Sequence, residues 1–141
     1  MAKDEPDLRS ELECFPVIDP GVEVLGDRIL VQLRREKNTS KGGIILVDET
    51  RQTLRFNETV AKVLQIGPLA YKSPDDLTPW VEGPWCKVGD LVRTIKYGGD
   101  RFVVQPDDEG APVVFITIQA REIISRIKSF DYAQRMKAFV D

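Results

Sequence analysis

Five short runs rich in β-branched residues, at 24–33, 59–66, 91–95, 102–105 and 113–118, are separated by polar segments or by glycine and proline. In the first run Ile29, Val31 and Leu33 alternate with Arg28, Leu30 and Gln32. That is the two-residue period of a strand. Gly67-Pro68 stops the second run, and Gly89-Asp90 turns the chain into the third. Tyr97-Gly98-Gly99-Asp100 precedes the fourth, and the loop Pro106 to Pro112 separates the last two. These residues punctuate a chain by supplying turn geometry. Short strands spaced by turns predict an all-β barrel or sandwich. The 141 residues suit one domain. A core of that size is not far above marginal, so strands shared between subunits would help it.

Several stretches stand outside the strand pattern. Arg34 to Lys41 is polar, Gly42-Gly43 leads into Ile44-Ile45-Leu46-Val47, and Asp48 to Thr53 is polar again. A connection this long is usually functional or disordered. Residues 69–86 are proline-rich, carry Tyr71, Trp80 and Trp85, and have an acidic tip at Asp75 and Asp76. They read as a hairpin-like excursion in which Trp85 packs rather than binds a ligand. Residues 1–21 are interrupted by Pro6, Pro16, Pro20 and Gly21 and read as a loosely held extension, with room for a helical turn over 7–14. At the other end Ile123, Ile127, Phe130, Ala133, Met136 and Val140 follow helical spacing. Ile123 to Ile127 also reads as a β run. We favour a strand over 123–128 and a short helix or frayed tail over 131–139, with a single helix over 120–139 as the open alternative.

The chain has no histidine. That removes the commonest general base and the commonest metal ligand together. There is no glycine-rich phosphate loop, and Cys14 and Cys86 lie far apart with no metal-like partner. They are expected to be reduced thiols of a reducing compartment. No catalytic residue and no metal site are therefore expected. The net charge of −3 disfavours a nucleic-acid binder. No apolar run reaches 18 residues, so no membrane span is expected. The acidic start fits neither a secretory signal nor a mitochondrial transit peptide, which points to the cytoplasm.

Four segments in order carry a resemblance. They are Leu25-Gly26-Asp27-Arg28-Ile29, Lys41-Gly42-Gly43-Ile44-Ile45-Leu46, Val63 to Gly67, and Val88-Gly89-Asp90 with Tyr97-Gly98-Gly99 after it. In this order, over residues 22–128, the chain resembles the GroES co-chaperonin family. The extension before residue 22, the longer segment after Leu46, Ala61 where glycine is common, and the tail after Phe130 depart from it. Those departures suit a divergent member, viral or otherwise; a viral one would work in the host cytoplasm.

The resemblance implies a small GroES-like β-barrel over 22–128, with a mobile loop at 34–56, a roof segment at 69–86, an N-terminal extension at 1–21 and a C-terminal tail at 129–141. It implies that Gly42, Gly43, Ile44, Ile45 and Leu46 dock on a GroEL-type chaperonin. It also implies that Leu25, Ile29, Ile123, Ile124 and Ile127 meet between subunits of a ring, by resemblance a heptamer, and that Asp75 and Asp76 lie at the roof. Such a ring lids a chamber that encloses client proteins. It needs no cofactor of its own, because the chaperonin binds the nucleotide. Burying Ile44, Ile45 and Leu46 returns roughly 5–9 kcal/mol, and ordering each loop residue costs about 1–2 kcal/mol. One loop then binds weakly, and a ring of loops binds well through effective concentration.

Two other readings compete. A small OB-like β-barrel would bind single-stranded nucleic acid by stacking bases on aromatics in a basic groove. Here Arg34, Arg35, Lys37 and Lys41 cluster without interleaved aromatics. Enzymes that share the GroES-like fold, such as medium-chain alcohol dehydrogenases, use Cys and His zinc ligands and a separate nucleotide domain. This chain offers neither.

Overall fold

The computed structural model describes residues 9–35, 58–96, 98–105 and 112–137. Six strands form one antiparallel sheet: β1 (Arg28–Leu33), β2 (Val60–Ile66), β3 (Leu91–Thr94), β4 (Asp100–Val104), β5 (Val113–Gln119) and β6 (Ile123–Arg126). The sheet order is β4-β5-β1-β2-β3-β6. Two short helices flank it, α1 (Glu11–Cys14) and α2 (Phe130–Arg135). The all-β expectation therefore holds. Among the described residues no helix is long and apolar enough to cross a membrane.

The connection from β5 to β6 rolls the sheet. In the sheet order β1, β2 and β3 lie between these two strands. Laid flat, they would stand about 19 Å apart, four strand spacings. Only the 3-10 turn Ala120–Glu122 joins them, and such a turn advances about 6–8 Å. The sheet must curl until its β5 and β6 sides approach. The main core confirms the curl: Ile29, Val31, Val63, Val92, Ile116, Ile118 and Ile123 are buried in one cluster drawn from five strands.

Two glycines permit close approaches that the curl demands. A Cβ on Gly67 would collide with the carbonyl oxygens of Gly26 and Arg28, and the Gly67 amide donates to the Arg28 carbonyl at 2.8 Å. Gly99 sits at φ +72, and a Cβ there would come 2.7 Å from the Thr117 carbonyl oxygen. Only glycine fits such positions without strain.

Strand β1 departs from simple alternation. Ile29, Val31 and Leu33 face the main core as the period predicts. Leu30 and Gln32, on the opposite face, are buried as well. The reason is the N-terminal extension, which crosses that face. Val24 joins Leu30, Val113 and Phe115 in a separate cluster, with Ile18 and Phe102 packed against it. Gln32 is buried without penalty because its Nε2 donates to the Pro16 carbonyl at 2.9 Å, as a buried polar group requires.

The described part of the extension is thus docked, which corrects the expectation of a loosely held segment. Helix α1 carries a capping box: the Glu13 amide donates to Ser10 Oγ at 3.2 Å and the Ser10 amide to Glu13 Oε1 at 3.1 Å. A helix of one turn has no stability of its own. It persists because Cys14 and Phe15 are buried with Val60, Leu91, Ile127 and Ala133, with Phe130 and Met136 packed alongside. The C-terminal ambiguity resolves as strand followed by short helix. Ile123 pairs with Thr94 and Arg126 with Val92, so ladder bonds outweigh helical spacing there, and α2 starts only at Phe130.

Candidate functional site

Gly42, Gly43, Ile44, Ile45 and Leu46 lie outside the described residues, as does everything over 36–57. The structure describes the stems from which that segment leaves and returns. At the end of the β1–β2 pair Leu33 opposes Ala61. The Arg34 amide then donates to the Val60 carbonyl at 2.9 Å, and the Arg35 amide to the Cys14 carbonyl at 2.7 Å. On the return side the Thr59 carbonyl accepts from the Thr94 amide at 3.0 Å.

The Arg34 side chain binds across both stems. Its Nε lies 2.9 Å from Glu58 Oε1, and its Nη2 donates to Glu58 Oε2 at 3.3 Å. It also donates through Nη1 to the Ala133 carbonyl at 2.7 Å and through Nη2 to the Met136 carbonyl at 2.5 Å. The planar guanidinium suits this fork because its donors are fixed in one plane. Burial pushes the Glu58 carboxyl above the ordinary range, and Arg34 works against that rise. Arg34 and Arg35, expected at the start of the mobile loop, are therefore anchored in the body of the protein. In the sequence they looked like a solvated basic run, because their partners Cys14, Glu58, Ala133 and Met136 are distant or unremarkable.

The expected interface residues divide. Leu25 is 66% exposed and Ile124 is 62% exposed. Ile29, Ile123 and Ile127 are buried inside the protomer: Ile29 and Ile123 in the main core, Ile127 in the cluster beneath the terminal helices. Their side chains serve the protomer's own core, which leaves Leu25 and Ile124 as the two of the five with exposed apolar surface. Ile124 lies on β6, an edge strand, and among the described residues no strand pairs with its outer side. The segment before β1 is held by a side chain rather than a ladder. The Val24 amide donates to Gln65 Oε1, and Gln65 Nε2 donates to the Val22 carbonyl, each at 2.9 Å.

The 69–86 excursion is less regular than a hairpin. Its described pairing is one bridge between Lys72 and Pro79. Tyr71, Trp80 and Trp85 pack together with ring centroids 5.1–5.5 Å apart, and all three contribute to the main core. Tyr71 sits at φ +60, costly for a bulky residue. Its hydroxyl offsets this by donating to the Ala120 carbonyl at 3.0 Å. At the tip Asp75 and Asp76 are exposed. Asp76 builds the turn: its Oδ1 accepts from Thr78 Oγ1 at 2.8 Å and from the Thr78 amide at 3.1 Å. Those bonds to Thr78 hold its carboxyl below the usual range.

Sequence reasoning missed the unit formed by the two terminal segments. The Ser10–Glu13 capping box was its one local signal. Its other ties span the chain: Lys62 Nζ to Glu11 Oε2 at 2.9 Å and Gln134 Nε2 to the Arg9 carbonyl at 3.1 Å.

Comparison with known proteins supplies the relatives of this arrangement. The family model described as chaperonin 10 Kd subunit matches residues 21–125. The co-chaperonin GroES of Chlamydia pneumoniae is 33% identical over 107 residues, covering 76% of this chain and 91% of that protein. The co-chaperonin GroES proteins of Chlamydia felis and Chlamydia muridarum are each 31% identical over 104 residues, covering 74% of this chain and 88% of each relative.

Proposed function

This chain belongs to the chaperonin 10 Kd subunit family, and from that premise we propose that it forms a ring that lids a GroEL-type chaperonin. The family makes it a co-chaperonin; the ring, the loop and the enclosed client are our reading. Ile44, Ile45 and Leu46, preceded by Gly42 and Gly43, insert into an apolar groove of the chaperonin. The ring is heptameric, works in the cytoplasm and encloses clients during folding cycles powered by nucleotide on the chaperonin. No bond chemistry and no cofactor belong to this chain, and neither nucleic acid nor membrane is a partner.

The family match carries this reading, because it spans the segment that holds the docking motif and both of its stems. Arg34 and Glu58 fasten those stems to a rigid sheet. Fixed stems on every subunit let weak single contacts sum across a ring. Subunits join through a head-to-tail contact that closes on itself. In it, Leu25 and Ile124 supply exposed apolar surface, and β6 supplies an edge that would otherwise invite uncontrolled pairing. Asp75 and Asp76 bring negative charge to the roof.

Ile45→Asp tests the docking role. The unpaired carboxylate has to enter an apolar groove, at a cost of several kcal/mol per subunit. The variant ring should assemble, melt near the parent temperature and lose chaperonin binding. A large fall in melting temperature with loss of the ring would make Ile45 a core residue and remove the docking assignment.

A further inference from the structure

The family match stops at residues 21 and 125, yet the structure binds the chain on both sides of it into one packed unit. Cys14 and Phe15 from the N-terminal side share a cluster with Ile127 and Ala133 from the C-terminal side, seated on Val60 and Leu91. Gln134 bonds the Arg9 carbonyl, and Glu11 pairs with Lys62. The unit meets the stems of the 36–57 segment twice: the Cys14 carbonyl accepts the Arg35 amide, and the Ala133 and Met136 carbonyls accept the Arg34 guanidinium.

We infer that the two terminal extensions form a docked unit that orders the stems of the 36–57 segment, with Arg34 as the positioning residue that links them. Arg34 joins its own stem, the opposite stem through Glu58, and the end of α2 through two carbonyls. If α2 undocks, the guanidinium loses two acceptors and the ion pair loses its cover. An ion pair opened to water is worth little, so the stems loosen. If the stems loosen first, α2 loses the donors that satisfy its terminal carbonyls. The two events stabilise each other, and linkage makes that coupling reciprocal. On the reading of 36–57 as the chaperonin-docking segment, on which this consequence rests, the extensions fix the two points at which that segment leaves the sheet.

The coupling is read on the free full-length chain, without a chaperonin. Cys14, buried within the terminal unit, reports its opening; Cys86, buried in the main core, is the internal reference. Alkylation rates of both thiols are followed by peptide mass spectrometry, alongside amide exchange at Arg34, Arg35 and Thr94. For Arg34→Met we expect Cys14 to label about tenfold faster with Cys86 unchanged. Removing residues 129–141 leaves the Arg34–Glu58 pair in place but deletes its cover. We expect the same selective rise at Cys14 and at least tenfold faster exchange at Arg34 and Arg35, with Thr94 less affected. Two outcomes overturn the inference. One is a Cys14 rate unchanged in Arg34→Met, since the truncation also strips Ala133 from beside Cys14. The other is equal acceleration of Cys14 and Cys86, which makes the unit an inseparable part of the core. Failure of the parent chain to bind a chaperonin would instead remove the docking reading and leave the thiol result standing.

Discussion

At the residue scale the account turns on Glu58 and Arg34. Breaking a buried pair by removing one partner is worse than never having had it. The raised Glu58 carboxyl also has a pH consequence. Burial, the largest cause, lifts its folded-state value above that of the unfolded chain. The folded state therefore holds the proton more tightly. Stability gained by protonation is fully present below the unfolded value and is lost as pH rises through the folded one. Glu58→Gln has no proton to exchange. The melting temperature of the parent relative to Glu58→Gln should rise as pH falls across that window and level off below the ordinary carboxylate range. A difference independent of pH would mean that Glu58 is not desolvated as described. None of this was visible in the sequence, where Arg34 and Glu58 stand 24 positions apart, each beside polar residues, and resemble solvated charges.

At the element scale the strands were legible and the extensions were not. Strand β1 announced itself through Ile29, Val31 and Leu33 because periodicity is local information. The burial of Leu30 and Gln32 was hidden because it depends on Ile18, Val24 and Pro16 lying across the face, a tertiary fact with no periodic trace. Helical spacing at the C-terminus misled in part, since β6 satisfies its backbone on β3 and only the residues from Phe130 are left to coil. The covering role of the extension carries a prediction. Deleting residues 1–20 strips Ile18 from beside Leu30 and removes the buried Cys14 and Phe15, and a buried side chain the size of Phe15 is worth roughly 1.5–3 kcal/mol. Chemical denaturation should show a loss of about 3 kcal/mol or more. A loss within about 0.5 kcal/mol, the range of neutral surface changes, would return the extension to the status of a loose tail.

At the scale of the whole molecule, the four ordered motifs carried the fold and the family, and both hold. The segment Gly42 to Leu46, which we propose docks, was conspicuous in the sequence alone as an apolar patch between polar flanks. The apolar surface we propose for the interface was only half legible. Leu25, Ile29, Ile123, Ile124 and Ile127 all read as apolar edge residues, but strand periodicity cannot say which face of a rolled sheet points inward. Only Leu25 and Ile124 remain exposed to meet a neighbour. The central claim is that these surfaces close a ring and that the ring seats on a chaperonin. Native mass spectrometry of the chain with a GroEL-type chaperonin, with and without ATP, tests it most directly. The account predicts a heptamer of this chain alone and, with ATP, a further species that adds one ring to the chaperonin. A chain that stays monomeric at micromolar concentration and adds no mass to the chaperonin with ATP would contradict it.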